Sequence, residues 1–235
     1  MRFYRFRNVW TRFWVKRSHA HPGGRIAAFL ATWFVPPFYG QVALANLDER
    51  GFTAPGATIY HPGLVLGQHC FVGERVLIYQ DDDGGPVTLG NGVHLHRESV
   101  IQTGVGGSVI IGDDTHVQPR CQISAYKGCL RIGKRVEIAP GCAFYPYNHA
   151  VDSRRSIREQ PVYTAGGISV GDDVWLGYGV IVLDGVEIGN GAVIGAGSVV
   201  TGKIPDNAIA VGIPARVIRY RGDADRGVGY VVDKR

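Results

Sequence analysis

VGDDVWLGYGVIVLDGVEIGNGAVIGAGSVV, residues 170–200, carries an aliphatic side chain at every sixth position: Val170, Leu176, Val182, Ile188, Ile194 and Val200. Glycine follows four of the six, at Gly171, Gly177, Gly189 and Gly195. Upstream the same step returns in triplets: Leu66, Val72, Ile78; Leu89, Leu95, Ile101; Ile111, Val117, Ile123; and Ile132, Ile138, Phe144. Four places after the first two heads of each triplet stands a small or β-branched residue, as at Cys70, Val76, Val93, Ser99, Thr115, Cys121, Val136, Cys142, Val174, Val180, Ala192 and Ser198. In a chain that is 45% hydrophobic, eighteen apolar heads arise by chance roughly once in a million trials.

Six residues are too few for a helix and a turn, but they suit one short strand and a bend. Three such units return the chain to its starting direction, so an 18-residue coil stacks on the next through parallel strands about 4.8 Å apart. Heads and fourth-following residues then point inward, and glycines occupy bends where positive φ is cheap. The spacing predicts an all-β fold, a parallel β-solenoid of about six to seven coils. Residues 54–65 read as an imperfect leading coil with Tyr60 and Leu64 inward. The hand of the coil does not follow from composition.

Net charge is +5, but it is unevenly placed. Residues 1–47 hold seven Arg or Lys and no Asp or Glu, leaving 18 basic against 20 acidic residues in the remainder. A nucleic-acid groove on the body is therefore not expected. No stretch reaches the ~18–20 apolar residues that span a bilayer. Ile26–Val35 imitates a signal-peptide core ahead of Ala43–Ala45, yet what precedes it is too long and too aromatic. A cytoplasmic protein is expected. Cys70, Cys121 and Cys142 fall at inward positions, as small apolar fillers without metal-ligand spacing; Cys129 lies in a short insertion. No metal is expected.

The run from Ile168 to Arg219, with its VWLG, GAGSVVT and GIPAR elements, resembles the C-terminal coils of hexapeptide-repeat acyltransferases, nearest to galactoside, maltose and polysaccharide O-acetyltransferases. The resemblance covers roughly residues 54–220. It implies a left-handed parallel β-helix, a homotrimer with sites between subunits, and acetyl-coenzyme A as donor. The domain reading is then a basic aromatic, helical extension (1–50), a β-helix (51–220) with an inserted loop (145–167), and a tail (221–235).

Gaps between triplets locate the site. Steps of eleven, ten, nine and twenty-six follow Ile78, Ile101, Ile123 and Phe144, always after the third head. All four insertions should therefore leave one corner of the prism, and long loops on rigid scaffolds carry function. The longest, YPYNHAVDSRRSIREQPVYTAGG, contains Asn148 and His149. In the resembled family a histidine of such a loop is the general base, which makes His149, beside Asn148, the catalytic candidate. An imidazole suits the role because its pKa lies near neutrality.

Glu159 and Asp152 are candidates to orient His149 or bind acceptor, though both read more readily as solvated loop charges; Arg154, Arg155 and Arg158 read equally as attractors of an anionic acceptor and as a solvated basic loop. Gln118 falls near a family position whose amide binds acceptor. For the donor, the resemblance implies the Tyr178 N–H near the thioester, Ala196 and Thr201 along the pantetheine arm, and Lys203 and Arg219 at the phosphates. The sequence departs from the family by having Thr201-Gly202-Lys203 before Ile204-Pro205, where the lysine commonly follows the threonine directly. Tyr178 also replaces a residue that is often small.

The expected activity is O-acetylation of a polysaccharide, lipid-linked or nucleotide-sugar hydroxyl. Its rivals are N-acetylation of an amino sugar, a β-helical zinc carbonic anhydrase using histidines such as His94, His96, His116 and His149, and a non-catalytic scaffold. Phe3, Phe6, Trp10, Phe13 and Trp14 follow helical spacing among arginines. That pattern suits a cover for the solenoid's open end, packing on a neighbouring subunit, or peripheral contact of residues 1–20 with the inner face of a membrane.

Overall fold

The computed structural model describes residues 2–18 and 23–223, with side chains from Phe6 onward. The C-terminal part of the expected tail, 224–235, and the side chains of Arg2, Phe3 and Arg5 lie outside the described residues. From Phe52 the described chain is an all-β parallel solenoid of about seven turns, preceded by short helices that end at Leu47.

Three sheets form the walls. Face A has nine strands, beginning at Phe52–Thr53 and ending with Ala208–Gly212 and the antiparallel Ala215–Tyr220. Face B has seven, from Thr58–Tyr60 to Val199–Val200, and face C six, from Leu64–Leu66 to Glu187–Ile188. The heads stack in register, Val72 on Leu95, Val117 on Ile138, Leu176 on Ile194. Seventeen heads are buried and Leu66 is partly buried, and all twelve fourth-following residues are buried. Apolar burial on this scale, about 25 cal/mol per Å², is what fixes the six-residue step.

The first coil corrects one expectation. Tyr60 pairs with Tyr79 and is 74% exposed, whereas Ile59 pairs with the buried head Ile78. The coil starts at Phe52, and its step from Ile59 to Leu66 is seven, so counting back by six selects Tyr60. Leu64 does pack against the core.

Coils are joined by hydrogen bonds in both directions: Phe52 N donates to the Cys70 carbonyl and Leu77 N to that of Ser99, while Gly92 N donates back to Gln68 and Glu98 N to Glu74. The first coil has no preceding coil to pair with, so backbone N–H groups and carbonyls are both turned to the open end. Helices α1 (Arg2–Val15) and α2 (Gly24–Thr32), then α3 (Tyr39–Val42) and a 3₁₀ turn (Ala43–Leu47), precede it. Arg25 donates to the Ala57 carbonyl, closing one of these open acceptors. Val15, Ala28, Ala31, Leu44 and Ala45 pack on the outward rings of Phe52 and Phe71, so the segment also lies along the outside of face A. No helix among the described residues is long and apolar enough to cross a membrane.

Further along that face the outward column continues as His94, His116 and Glu137. The His94 and His116 rings stack at 4.3 Å, and His116 Nδ1 lies 2.9 Å from Glu137 Oε1. His96 is buried beside the Phe71 and Tyr39 rings. Burial, then the neighbouring imidazoles, pushes His94 and His96 down to about 4.

Both rings therefore stay neutral in the fold to about pH 4, while the unfolded chain protonates them from about pH 6.5. The unfolded state takes up protons first, so stability falls as pH drops through that window. Urea midpoints are expected to decrease between pH 7 and pH 5. His96→Asn should make that decrease smaller by the share of one histidine, burial also holding His61 below its usual value beside His94 and His96; an unchanged slope would contradict the assignment.

Candidate active site

Every insertion leaves between faces B and C, at Asp81–Pro86, Gly104–Gly107, Tyr126–Gly128 and Pro146–Gly167. The loops stack on one another. Gln102 donates to Asp81, Gly84 bridges Val105, and the Tyr126 and Tyr147 rings meet at 5.8 Å. Gly128 sits where a Cβ would lie 2.2 Å from the Pro146 carbonyl oxygen, so only glycine lets the long loop pass this close.

That loop is an ordered hairpin. Asn148 and His149 pair antiparallel with Tyr163 and Val162. Its base is held by one carboxylate: Asp184 accepts from Asn148 Nδ2 (3.0 Å), Thr164 Oγ1 (2.8 Å), Ala165 N (2.5 Å) and Gly167 N (3.1 Å). Its far end is held by buried Gln160, which accepts from Asp152 N and donates to the Asp152 and Arg155 carbonyls. Asp152 is paired with Arg154, whose guanidinium holds that carboxyl below the usual range.

Successive side chains of a strand point to opposite sides. Asn148 is turned toward Asp184 on the scaffold, so His149 is turned away from it, and its imidazole is exposed. Among the described residues it has no hydrogen-bond partner. Glu159 ends the 3₁₀ turn Ile157–Glu159 of the same loop and is exposed, as are Arg155 and Arg158.

The proposed donor residues fall on two corners. Tyr178 and Ala196 lie between faces A and B, one coil apart, and the Tyr178 carbonyl accepts from Gly197 N at 2.8 Å. Tyr178 is 66% exposed, with its ring over Gly141. Its N–H makes no hydrogen bond among the described residues. A Cβ at Gly177 would stand 2.6 Å from the Ala196 nitrogen, so this corner stacks at backbone contact and leaves an uncluttered strip for a thin chain.

Thr201 and Lys203 lie at the opposite corner, between B and C, and Lys203 Nζ pairs with Glu187 at 3.0 Å. Arg219 is exposed on the closing strand of face A, opposite Ile209. Gln118, at the A–B corner, accepts a hydrogen bond from Tyr39 Oη at 2.8 Å, which ties it to the N-terminal segment. Within one chain, then, His149 and Tyr178 stand on opposite edges of face B. Among the described residues no three His, Cys, Asp or Glu side chains converge as metal ligands; His94, His96 and His116 sit on face A, away from the His149 loop.

Asp184, Thr164 and Gln160 escaped the sequence reading. The one available signal was Asp184-Gly185, a turn pair two places after the head Val182, at the same corner one coil beyond the long insertion.

Residues 167–202 match the family model described as bacterial transferase hexapeptide (six repeats). The chain is 32% identical over 162 residues to the Mycobacterium tuberculosis protein named a probable acetyltransferase Rv3034c, covering 68% of this chain and 53% of that one. To the galactoside O-acetyltransferase of Escherichia coli it is 41% identical over 97 residues, 41% of this chain and 47% of the relative. The chain thus spans about half the length of these curated relatives. The solved structure of the Bacillus cereus BC4754 gene product superposes with a TM-score of 0.55 at 29% identity, over 70% of this chain and 84% of that one. The solenoid is a left-handed β-helix, like its structural neighbours.

Removing the Asp184 carboxylate should free the hairpin without unfolding the solenoid. In Asp184→Ala, amide exchange at the Asn148–Tyr163 ladder is expected to rise about 30- to 150-fold, the loss of about 2–3 kcal/mol of charge-assisted hydrogen bonding. Exchange in the core strands should be unchanged. Equal protection of the hairpin in both proteins would show that Asp184 does not hold it.

Proposed function

We propose, for a chain that belongs to the hexapeptide-repeat acyltransferase family, transfer of an acetyl group from acetyl-coenzyme A to a saccharide hydroxyl. The observation that carries this reading is the presentation of His149: its neighbour Asn148 is tied to Asp184, so the imidazole faces outward from a braced strand. Asn148 is thereby a positioning residue, and His149 the base.

His149 takes the proton of the acceptor hydroxyl as that oxygen attacks the thioester carbonyl. The new C–O bond forms, and the Tyr178 N–H stabilises the tetrahedral oxyanion. Collapse breaks the C–S bond, and the departing sulfur receives the proton from His149. No covalent enzyme intermediate is needed. Ala196 and Thr201 hold the pantetheine arm through their backbone, while Lys203 and Arg219 meet the coenzyme A phosphates. Gln118 and Glu159 contribute to acceptor binding.

A base on the B–C edge and an oxyanion donor on the A–B edge of the same chain do not meet across face B. They meet when copies are arranged edge to edge around a threefold axis, so the reading includes a homotrimer with three inter-subunit sites. Lipid-linked saccharides belong to the acceptor class, and with them peripheral contact of residues 1–20 with a membrane face. An amino sugar in the acceptor seat would make the same machinery an N-acetyltransferase.

The test is thiol release from acetyl-coenzyme A with a panel of sugars, amino sugars, nucleotide sugars and oligosaccharides, the product bond being identified as ester or amide. His149→Ala is expected to lower acceptor-dependent turnover by ~10²-fold or more, with coenzyme A binding retained. Turnover indifferent to the substitution would reject His149 as base.

A further inference from the structure

The second helix inverts the usual burial pattern, and the first carries large apolar residues on its outer as well as its inner side. On α2 the buried face is made of small residues, Gly24, Ala27, Ala28 and Ala31, while Ile26, Phe29 and Trp33 face solvent, Ile26 at 66% and Trp33 at 62% exposed. These three are spaced i, i+3, i+7 and so form one stripe. On α1 the exposed apolar residues Phe6, Val9 and Phe13 have the same spacing. The helices run antiparallel, with Phe6 meeting Phe34 and the Trp10 indole N–H donating to the Leu30 carbonyl. Large apolar side chains left outward in two adjacent stripes exceed the scattered exposure that a soluble surface ordinarily shows.

The charge around the stripes identifies what would cover them. Arg12, Lys16, Arg17 and Arg25 are exposed on the same two helices and their flanks, and the chain has no Asp or Glu before Asp48. Among the described residues none of the four is paired with a carboxylate. Arg17 donates to the Phe13 carbonyl and lies 3.6 Å over its ring, and Arg25 donates to the Ala57 carbonyl. A second copy of the segment would bring the same unneutralised charge and be repelled. Anionic headgroups neutralise it, and the aromatic and aliphatic tips can enter the boundary between headgroups and acyl chains.

We infer that the outer face of the α1–α2 hairpin docks on a bilayer surface rich in anionic lipid, through Phe6, Val9, Phe13, Ile26, Phe29 and Trp33 ringed by basic residues. This extends the contact beyond the first twenty residues to α2, and it does not rest on acyl transfer. The solenoid hangs from the hairpin through Phe52 and Phe71, so docking would hold the catalytic edge at a fixed height from the membrane.

Full-length protein is sedimented with vesicles of phosphatidylcholine alone or mixed with phosphatidylglycerol. Binding is expected only to the mixed vesicles and to fade with added salt. Each basic residue near such a surface contributes about fivefold to partitioning, so Arg12→Gln with Lys16→Gln should weaken binding about 25-fold. Ile26→Ser, Phe29→Ser and Trp33→Ser together should abolish it, with thermal unfolding and turnover of a water-soluble acceptor unchanged because all three side chains are exposed. Binding to neither vesicle, equal binding to both, or a triple variant that binds vesicles normally would each overturn the inference. So would a triple variant whose only change is a smaller oligomer, which would assign the face to a second copy.

Discussion

Every structural feature of this chain depends on the stacking of inward side chains at a step of six. A head in one coil must sit on the head of the coil below, so an extra residue within a strand would turn its side chains to the wrong face. Added length can leave only at corners. Here it leaves repeatedly between faces B and C, and the emerging loops pack on one another through contacts such as Gly128 under Pro146. The result is a rigid ridge, which is what a catalytic group needs if it is to be held within a fraction of an ångström of its partner.

On that ridge a single carboxylate converts a long insertion into a site. Asp184 gathers four donors from residues 148–167, and strand alternation then turns His149 outward. The opposite corner is built by the reverse device, near-absence of side chains: buried Gly177 lets the coils stack at backbone contact, and Gly179, Ala196 and Gly197 leave open backbone beside Tyr178. In the proposed reaction one edge supplies the base and the other a hydrogen-bond donor in an open strip. Neither suffices alone, and their separation across face B is why the proposed reaction requires assembly.

Much of this was legible in the sequence because it is periodic. Seventeen heads are buried where the step of six places them, and the surplus after Ile78, Ile101, Ile123 and Phe144, each a third head, announced a common corner. Periodicity fails where a coil lacks a preceding neighbour, so the step of six selects Tyr60 where the structure stacks Ile59 on Ile78. It is silent about contacts set by the path of a loop: Asn148 and Asp184 are 36 residues apart, and nothing in their spacing links them. Gln160 looked like an ordinary loop residue and is a buried clasp. The N-terminal helices were legible as basic and aromatic, but composition could not tell that α2 buries its alanines and exposes its large residues.

The most direct measurement is a crystal structure of the protein with coenzyme A. The account predicts a trimer with the thiol lying between His149 of one protomer and the Tyr178 N–H of the next, and the pantetheine along Ala196. A thiol far from His149, or coenzyme A bound to a single chain away from both corners, would contradict it.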